Sequence, residues 1–274
     1  MFRWNEDMIR FLRDASEQSD YHRLLAETLV GRLPADAHVC DAGCGLGYLS
    51  LRLAPYCRRV TAVDVCEETL AVLRENCAKE GITNITPRCG EIDTLPPDAP
   101  YDAMVFCFFG IGREVLRLAR AQCRGPVILI KKAWQDHRFS IGKQKLNHES
   151  YADMRALLEE LHIPHTGEML ALEMGQPFHS IGDACRFFEI YDKSGEAITE
   201  EAVRQRLIAT GKEDFPFYLP QPKQMGIIQF DSRDNPASEY IKQKRSTEDE
   251  KTAFYPAGGH DDRHAGADRL RPAQ

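Results

Sequence analysis

Between His38 and Lys132, short apolar runs alternate with stretches whose apolar positions recur every three or four residues. HVCDA, VTAVDV, NITPRC, AMVFCF and PVILIKK predict strands, and the segments near 47 to 54, 67 to 80 and 112 to 122 predict helices between them. Short strands separated by helices build a parallel sheet with helices on both faces. Upstream, residues 5 to 14 and 19 to 33 predict two helices. The second is expected to be capped by Ser19, with Tyr21, Leu24, Leu25, Thr28 and Leu29 on one face. Downstream, the pattern predicts a helix near 150 to 162, a strand in GEMLALEM, helices over SIGDACRFFEIY and TEEAVRQRLIAT, and a closing strand MGIIQF. Phe178, Phe187, Phe188, Tyr191, Phe215, Phe217 and Tyr218 cluster before that last strand and mark 175 to 222 as a partly apolar lid. From Asp231 the chain is charged, with scattered Pro, Gly and His and no apolar period, which predicts a disordered tail. The expected organisation is a helical lead-in over 1–35, a domain over 36–232 with the lid inserted at about 175–222, and a tail over 233–274.

One short stretch changes the picture. In HVCDAGCGLGYLSL, residues 38 to 51, three glycines stand at alternate positions where the first strand gives way to a helix. Glycine permits a tight turn there and lets a ligand approach the backbone above the carboxyl edge of the sheet. Dinucleotide enzymes use G-x-G-x-x-G, whereas Gly43, Gly45 and Gly47 are spaced G-x-G-x-G and follow an acid, Asp41, that suits a cationic group better than a pyrophosphate. The run D-A-G-C-G-L-G, residues 41 to 47, resembles the first motif of class I S-adenosylmethionine-dependent methyltransferases. Asp64 in VTAVDV stands seventeen residues after Gly47, in register with the acid that binds the ribose hydroxyls in that family. CGEIDTLP, residues 89 to 96, is similar to the element that meets the adenine, with Glu91 in the acid's place and Ile92 after it. YDAMVFCFFG, residues 101 to 110, resembles the fourth motif, beside the methionine part of the cofactor.

The resemblance covers roughly residues 36 to 132. It implies a doubly wound seven-stranded α/β sheet, six strands parallel and the last antiparallel, with a helical lid before that strand. It also implies S-adenosyl-L-methionine as cofactor and S-adenosyl-L-homocysteine as product. Cofactor contacts are expected at Asp41, Gly43, Cys44, Gly45, Gly47, Asp64, Val65, Glu91, Ile92 and Cys107, with Tyr21 of the lead-in closing over them. Phe108 and Phe109 after the fourth strand, Trp134 in the loop after the fifth, and Tyr191 in the lid are the candidate substrate residues. Because the cofactor carries an already activated methyl group, alignment and exclusion of water matter most, and a base matters only for an acceptor that must lose a proton. His137 and His179 are the candidate bases. His162 and His165 straddle Pro164, which breaks the register that would align them on a metal, and no metal is expected. The stretch KKAWQDHRFSIGKQK, residues 131 to 145, reads as a solvated basic loop or as a clamp for an anionic substrate group.

Composition narrows the partners. The chain has 274 residues, 43% of them apolar, enough for a sizeable core. A net charge of -7 and a pI near 5.8 speak against a surface built to neutralise many phosphates, so a nucleic-acid partner is not expected. The N-terminal MFRWNEDMIRFLRD is charged and no apolar run approaches the roughly 20 residues that span a bilayer, which predicts a soluble cytoplasmic protein without a membrane partner. Of nine cysteines without a C-x-x-C pair, most are expected to be reduced, small core residues. CFFG stands where many enzymes that methylate amide or base nitrogens carry D/N-P-P-Y or F. The expected function is methyl transfer to a small organic acceptor, with oxygen, nitrogen and sulfur open. The alternatives are methylation of a protein or RNA, and a non-catalytic cofactor-binding sensor or scaffold. Oligomeric state is left open.

Overall fold

The computed structural model describes residues 4–133, 139–143 and 148–235. In chain order the elements are α1 (Glu6–Glu17), α2 (Tyr21–Val30), β1 (His38–Ala42), α3 (Tyr48–Leu53), β2 (Arg59–Asp64), α4 (Glu67–Glu80), β3 (Ile85–Cys89), β4 (Ala103–Cys107), α5 (Gly112–Gln122) and β5 (Pro126–Lys132). There follow α6 (Tyr151–Glu160), β6 (His165–Glu173), β7 (Gln176–Phe178), α7 (Ile181–Tyr191), α8 (Glu200–Arg204), β8 (Ile208–Ala209), β9 (Phe217–Leu219) and β10 (Pro222–Asp231). The main sheet has seven strands in the order β3-β2-β1-β4-β5-β10-β6. β10 runs antiparallel to both neighbours, Ile227 pairing with Ile130 of β5 and with Glu168 of β6, while the pairs β1–β2, β1–β4, β2–β3 and β4–β5 are parallel.

The central strands are apolar at nearly every position because both of their faces are covered. Successive side chains alternate between the faces. Val39, Val105, Ile128 and Ile130 pack on one side with Tyr21, Leu25 and Leu29 of α2. Cys40, Met104, Phe106, Val127 and Leu129 pack on the other with Val115 and Leu116 of α5 and with Met154 and Leu158 of α6. Local signals set the helix ends: Asn5 accepts from the Met8 N–H at 2.8 Å, Ser150 and Asp153 form a reciprocal capping box, and Gly81 (φ +68°) stops α4.

Several elements differ from the expectation. α2 begins at Tyr21 after Asp20, without a side-chain cap, and the Ser19 hydroxyl is buried unpaired. The buried face of α2 is Tyr21, Leu25, Ala26 and Leu29, rotated away from Leu24 and Thr28. The helix expected over 199 to 210 stops at Arg204, and Ile208–Ala209 instead pairs with β9. The lid therefore carries, besides α7 and α8, a three-stranded antiparallel sheet in the order β7-β9-β8. Of the nine free cysteines, Cys40, Cys57 and Cys123 are buried, and Cys89 is exposed beside Val65. The packed chain runs on to Asn235, 1% exposed, whose Nδ2 donates to the Leu116 carbonyl at 2.7 Å; the tail expected from there on lies outside the described residues. Among the described residues no helix is long and apolar enough to cross a membrane.

Candidate functional site

β1 lies between β2 and β4, so the strand order reverses there, and the crevice over the carboxyl ends of such strands is where these sheets take ligands. A cavity of about 410 Å³ opens at that place, within the usual range for small-molecule sites. Its floor is the loop from β1 into α3. Gly43, Gly45 and Gly47 all have positive φ (+67°, +54° and +74°), but they are glycine for different reasons. A Cβ at Gly43 would collide with the Phe109 ring, and one at Gly47 would come within 2.5 Å of a Leu73 methyl. At Gly45 the nearest atom is Trp4 Cζ2, 3.8 Å away. Gly45 alone presents its backbone to open space.

Three acids surround that loop. Asp64, ending β2, accepts from the Gly45 N–H at 2.8 Å through Oδ2 and from the Cys66 N–H at 3.0 Å through Oδ1. Burial raises its carboxyl, and these N–H bonds oppose the shift. Asp41 is 1% exposed and accepts from the Ser50 hydroxyl at 2.6 Å. Burial pushes it up to about 6, the Ser50 bond opposing and the charge of Asp64 adding. Glu91 stands exposed at the rim with Ile92 buried behind it, and Val65 is 44% exposed beside Asp64; all three line the cavity. α5 adds Glu114, an acid in its first turn that sequence reasoning passed over, and burial raises its carboxyl too. Cys44 and Cys107 line the same wall with burial holding both as thiols, Cys107 pushed up to about 12, which suits packing rather than nucleophilic chemistry.

The opposite wall is aromatic. Phe11 of α1 meets Phe187 of α7 edge-on with centroids 5.1 Å apart, and Phe187 lies 4.6 Å from Tyr191 and 4.9 Å from Phe139. Two ion pairs fasten α1 to α7, Arg10–Asp183 at 2.6 Å and Arg186–Asp7 at 3.0 Å. The lead-in and the lid thus form one roof. Tyr21 is buried in the adjoining wall with its hydroxyl 3.6 Å from Met225 Sδ. Phe108 and Phe109 both line the cavity, Phe108 at φ +53°, a conformation that costs a bulky residue on the order of 1–3 kcal/mol. Trp4, Phe11, Met174 and Gln176 belong to this wall and were not singled out from sequence. For Phe11, the signal was the strongly amphipathic lead-in helix; Trp4 precedes that helix, and β7 is too short to show a period.

The one candidate base among the described residues, His179, is not brought to the cavity. His179 donates through Nδ1 to the Asp214 carbonyl at 2.7 Å, stacks on Phe215 at 4.3 Å and lines no part of it. His137 and Trp134 lie outside the described residues. His22 of α2 does line the cavity, stacked on Tyr48, and burial pushes it down to about 3, the charges of Lys223 and Arg52 adding. The basic stretch loses its first member as an anion clamp. Lys131 is 4% exposed, donating to Glu149 at 2.6 Å and to the Gly110 carbonyl at 2.7 Å, while Glu149 accepts from the Gly112 N–H at 2.8 Å. This strut holds the loop after β4 on which Phe108 and Phe109 are carried.

Residues 39–124 match the family described as "Methyltransferase domain", a span that holds the glycine loop, Asp64, Glu91 and the β4 loop. Over that span the chain carries a methyltransferase domain. This methyltransferase domain is similar, at 39% identity over 70 residues, to the ubiquinone biosynthesis O-methyltransferase of Coxiella burnetii, covering 26% of this chain and 30% of that protein. It is also similar, at 32% identity over 66 residues, to tRNA (uracil-5-)-methyltransferase homolog A of Mus musculus, covering 24% of this chain and 11% of that protein. The chain spans between 11% and 31% of the length of these and the other curated relatives it matches. Among solved structures, a SAM dependent methyltransferase from Aquifex aeolicus aligns with 83% of this chain and 98% of its own, at 15% identity and a TM-score of 0.48. The relatives correct the expectation drawn from net charge. Proteins named as tRNA and RNA methyltransferases are among them, so the acidic balance does not speak against a nucleic-acid acceptor. Net charge sums over a whole surface, whereas a nucleic-acid groove is local.

Proposed function

We propose that the protein transfers a methyl group from S-adenosylmethionine to a small organic acceptor with an apolar, ring-bearing body. The observation that carries this reading is that one cavity is lined by two unlike sets of residues. One is made of glycine backbone and acids (Asp41, Gly45, Asp64, Glu91), the other of rings (Trp4, Phe11, Phe108, Phe187, Tyr191). The first set fits the cofactor: the space a Cβ at Gly45 would fill is open, and the carboxylate of Asp64, held by two backbone N–H groups, keeps lone pairs to accept from ribose hydroxyls. Glu91 is placed at the rim to accept from an amine, and Asp41 offers a buried carboxylate to a cationic group. S-adenosylmethionine supplies a methyl group already activated on its sulfonium. The protein's part is to orient the acceptor and keep water out, and the aromatic roof does both. His22, held neutral with a depressed proton affinity, is a weak base, which favours an acceptor atom that is nucleophilic without strong deprotonation.

A second reading, methylation of an RNA base, is favoured by the similarity to a tRNA (uracil-5-)-methyltransferase. One experiment separates the two. The purified chain is incubated with methyl-labelled S-adenosylmethionine and a cell extract split into a small-metabolite fraction and an RNA fraction. Label in a small aromatic metabolite is the expected result. Label confined to RNA, with salt-sensitive RNA binding, establishes the second reading. Label in neither fraction, from a protein that binds S-adenosylhomocysteine, contradicts both and leaves methylation of a protein or a non-catalytic cofactor-binding role.

A further inference from the structure

The aromatic wall brings few polar atoms to the cavity, and one of them is held in a fixed direction. Gln176 opens β7, is 5% exposed and lines the cavity beside Phe11, Met174 and Phe187. Its Nε2 donates to the Phe11 carbonyl at 3.0 Å and to the Pro177 carbonyl at 3.1 Å. A primary amide has two N–H donors and one carbonyl acceptor, so both donors are committed. The amide is planar, and two bonds to separate carbonyls, one on α1 and one on its own strand, leave it no freedom to flip. The amide oxygen, Oε1, has no partner among the described residues. A polar atom that remains unpaired when a closing site expels water costs binding energy, whereas one that meets a donor on the ligand contributes specificity.

We infer that Gln176 selects the acceptor: its Oε1 accepts a hydrogen bond from an N–H or O–H carried on the acceptor's apolar ring, and a ring without that donor is discriminated against. The inference rests on the reading of the aromatic wall as the acceptor's side of the cavity. It adds a requirement that shape and apolarity alone do not impose. Residues that only pack against a ring favour a methyl group over a hydroxyl they would leave unpaired, while a fixed amide oxygen favours the donor. Gln176 is a positioning residue here, because an amide oxygen cannot remove the proton it accepts.

The test uses the full chain and two ring probes of similar size, 2-naphthol and 2-methylnaphthalene, of which the first has a donor and the second has none. S-adenosylhomocysteine is titrated first by calorimetry. Failure at this step overturns the cofactor reading itself and is thereby distinguished from failure of the inference. Each probe is then titrated into the S-adenosylhomocysteine-saturated protein. The expected result is a preference of about tenfold for 2-naphthol in the wild type, the size of one hydrogen bond to a desolvated group. In Gln176→Met the preference disappears. A merely structural role for Gln176, bridging α1 to β7, would weaken both probes in the variant by the same factor and leave the preference intact. The inference is overturned if the wild type binds both probes alike, binds neither, or if Gln176→Met keeps the preference. The wild-type comparison decides the matter even if the variant does not fold.

Discussion

The backbone N–H of Gly45 donates to Oδ2 of Asp64 at 2.8 Å, joining the loop after β1 to the acid that ends β2. The bond makes the glycine loop and the Asp64 carboxylate one unit before any ligand arrives. It also places a carboxylate directly beside the only one of the three loop glycines that faces open space.

Removing that carboxylate should therefore damage the site twice, by deleting an acceptor for the cofactor and by releasing the loop. Asp64→Ala is expected to weaken S-adenosylhomocysteine binding by about 2–3 kcal/mol, the range for hydrogen bonds to a charged group. Asp64→Asn should lose less, because its amide oxygen still accepts from Gly45. Calorimetry on folded variants measures both; equal affinity for wild type and Asp64→Ala would remove Asp64 from the site.

The glycines should separate by function. Gly45→Val meets backbone strain of about 1–3 kcal/mol at φ +54° but no close neighbour, so it is expected to stay folded by circular dichroism. It should lose the thermal stabilisation that S-adenosylhomocysteine gives the wild type. Gly47→Val meets the Leu73 methyls in the core and should be destabilised further. A Gly45→Val protein stabilised as well as the wild type would mean that no ligand lies over that residue.

Asp41 gives a pH signature with a definite sign. Its folded carboxyl is raised to about 6, against an ordinary value of about 4 in the unfolded chain. Between those values the folded state holds the proton more firmly, so raising the pH costs stability; below about 4 both states are protonated and the effect vanishes. The stability of wild type relative to Asp41→Asn should fall by roughly 2 kcal/mol as pH rises from 4 to 7, measured by urea unfolding of the empty proteins. A flat difference would show that Asp41 titrates normally.

Much of this site was legible in the chain, and the reasons are local. D-A-G-C-G-L-G and the acid of VTAVDV lie at the ends of adjacent strands, and strand ends are marked by apolar runs a few residues long. The order of elements from β1 to β5 follows from the same alternation. What one sequence did not disclose depends on contacts far apart along the chain. That Gly43 and Gly47 answer to Phe109 and Leu73, and Gly45 to the cavity, appears only when those side chains are in place. β7 and β9 have three residues each, too few to show a period, and they carry Gln176 and the middle of the lid's sheet. The misread end of the helix after Thr199 has the same cause, since Ile208 and Ala209 are strand because β9 is there to pair with them. Lys131 read as the start of a basic loop, yet its partner Glu149 stands eighteen residues on.

That buried pair makes a prediction of its own. Lys131→Met leaves the Glu149 carboxylate and the Gly110 carbonyl without their shared donor and should cost about 3–5 kcal/mol of stability. Lys131→Met with Glu149→Gln removes both charges while the amide still accepts from the Gly112 N–H, and it should recover most of the loss. Urea unfolding of the two variants checks this. A double variant no more stable than Lys131→Met would show that charge pairing is not what the strut supplies.

The most direct test of the whole account is a calorimetric titration of the wild-type chain with S-adenosylhomocysteine and, separately, with NAD. The cavity built on Gly45, Asp64 and Glu91 should bind S-adenosylhomocysteine one to one and give no measurable heat with NAD at the same concentrations. Tighter binding of NAD, or no binding of S-adenosylhomocysteine by the folded protein, would contradict it.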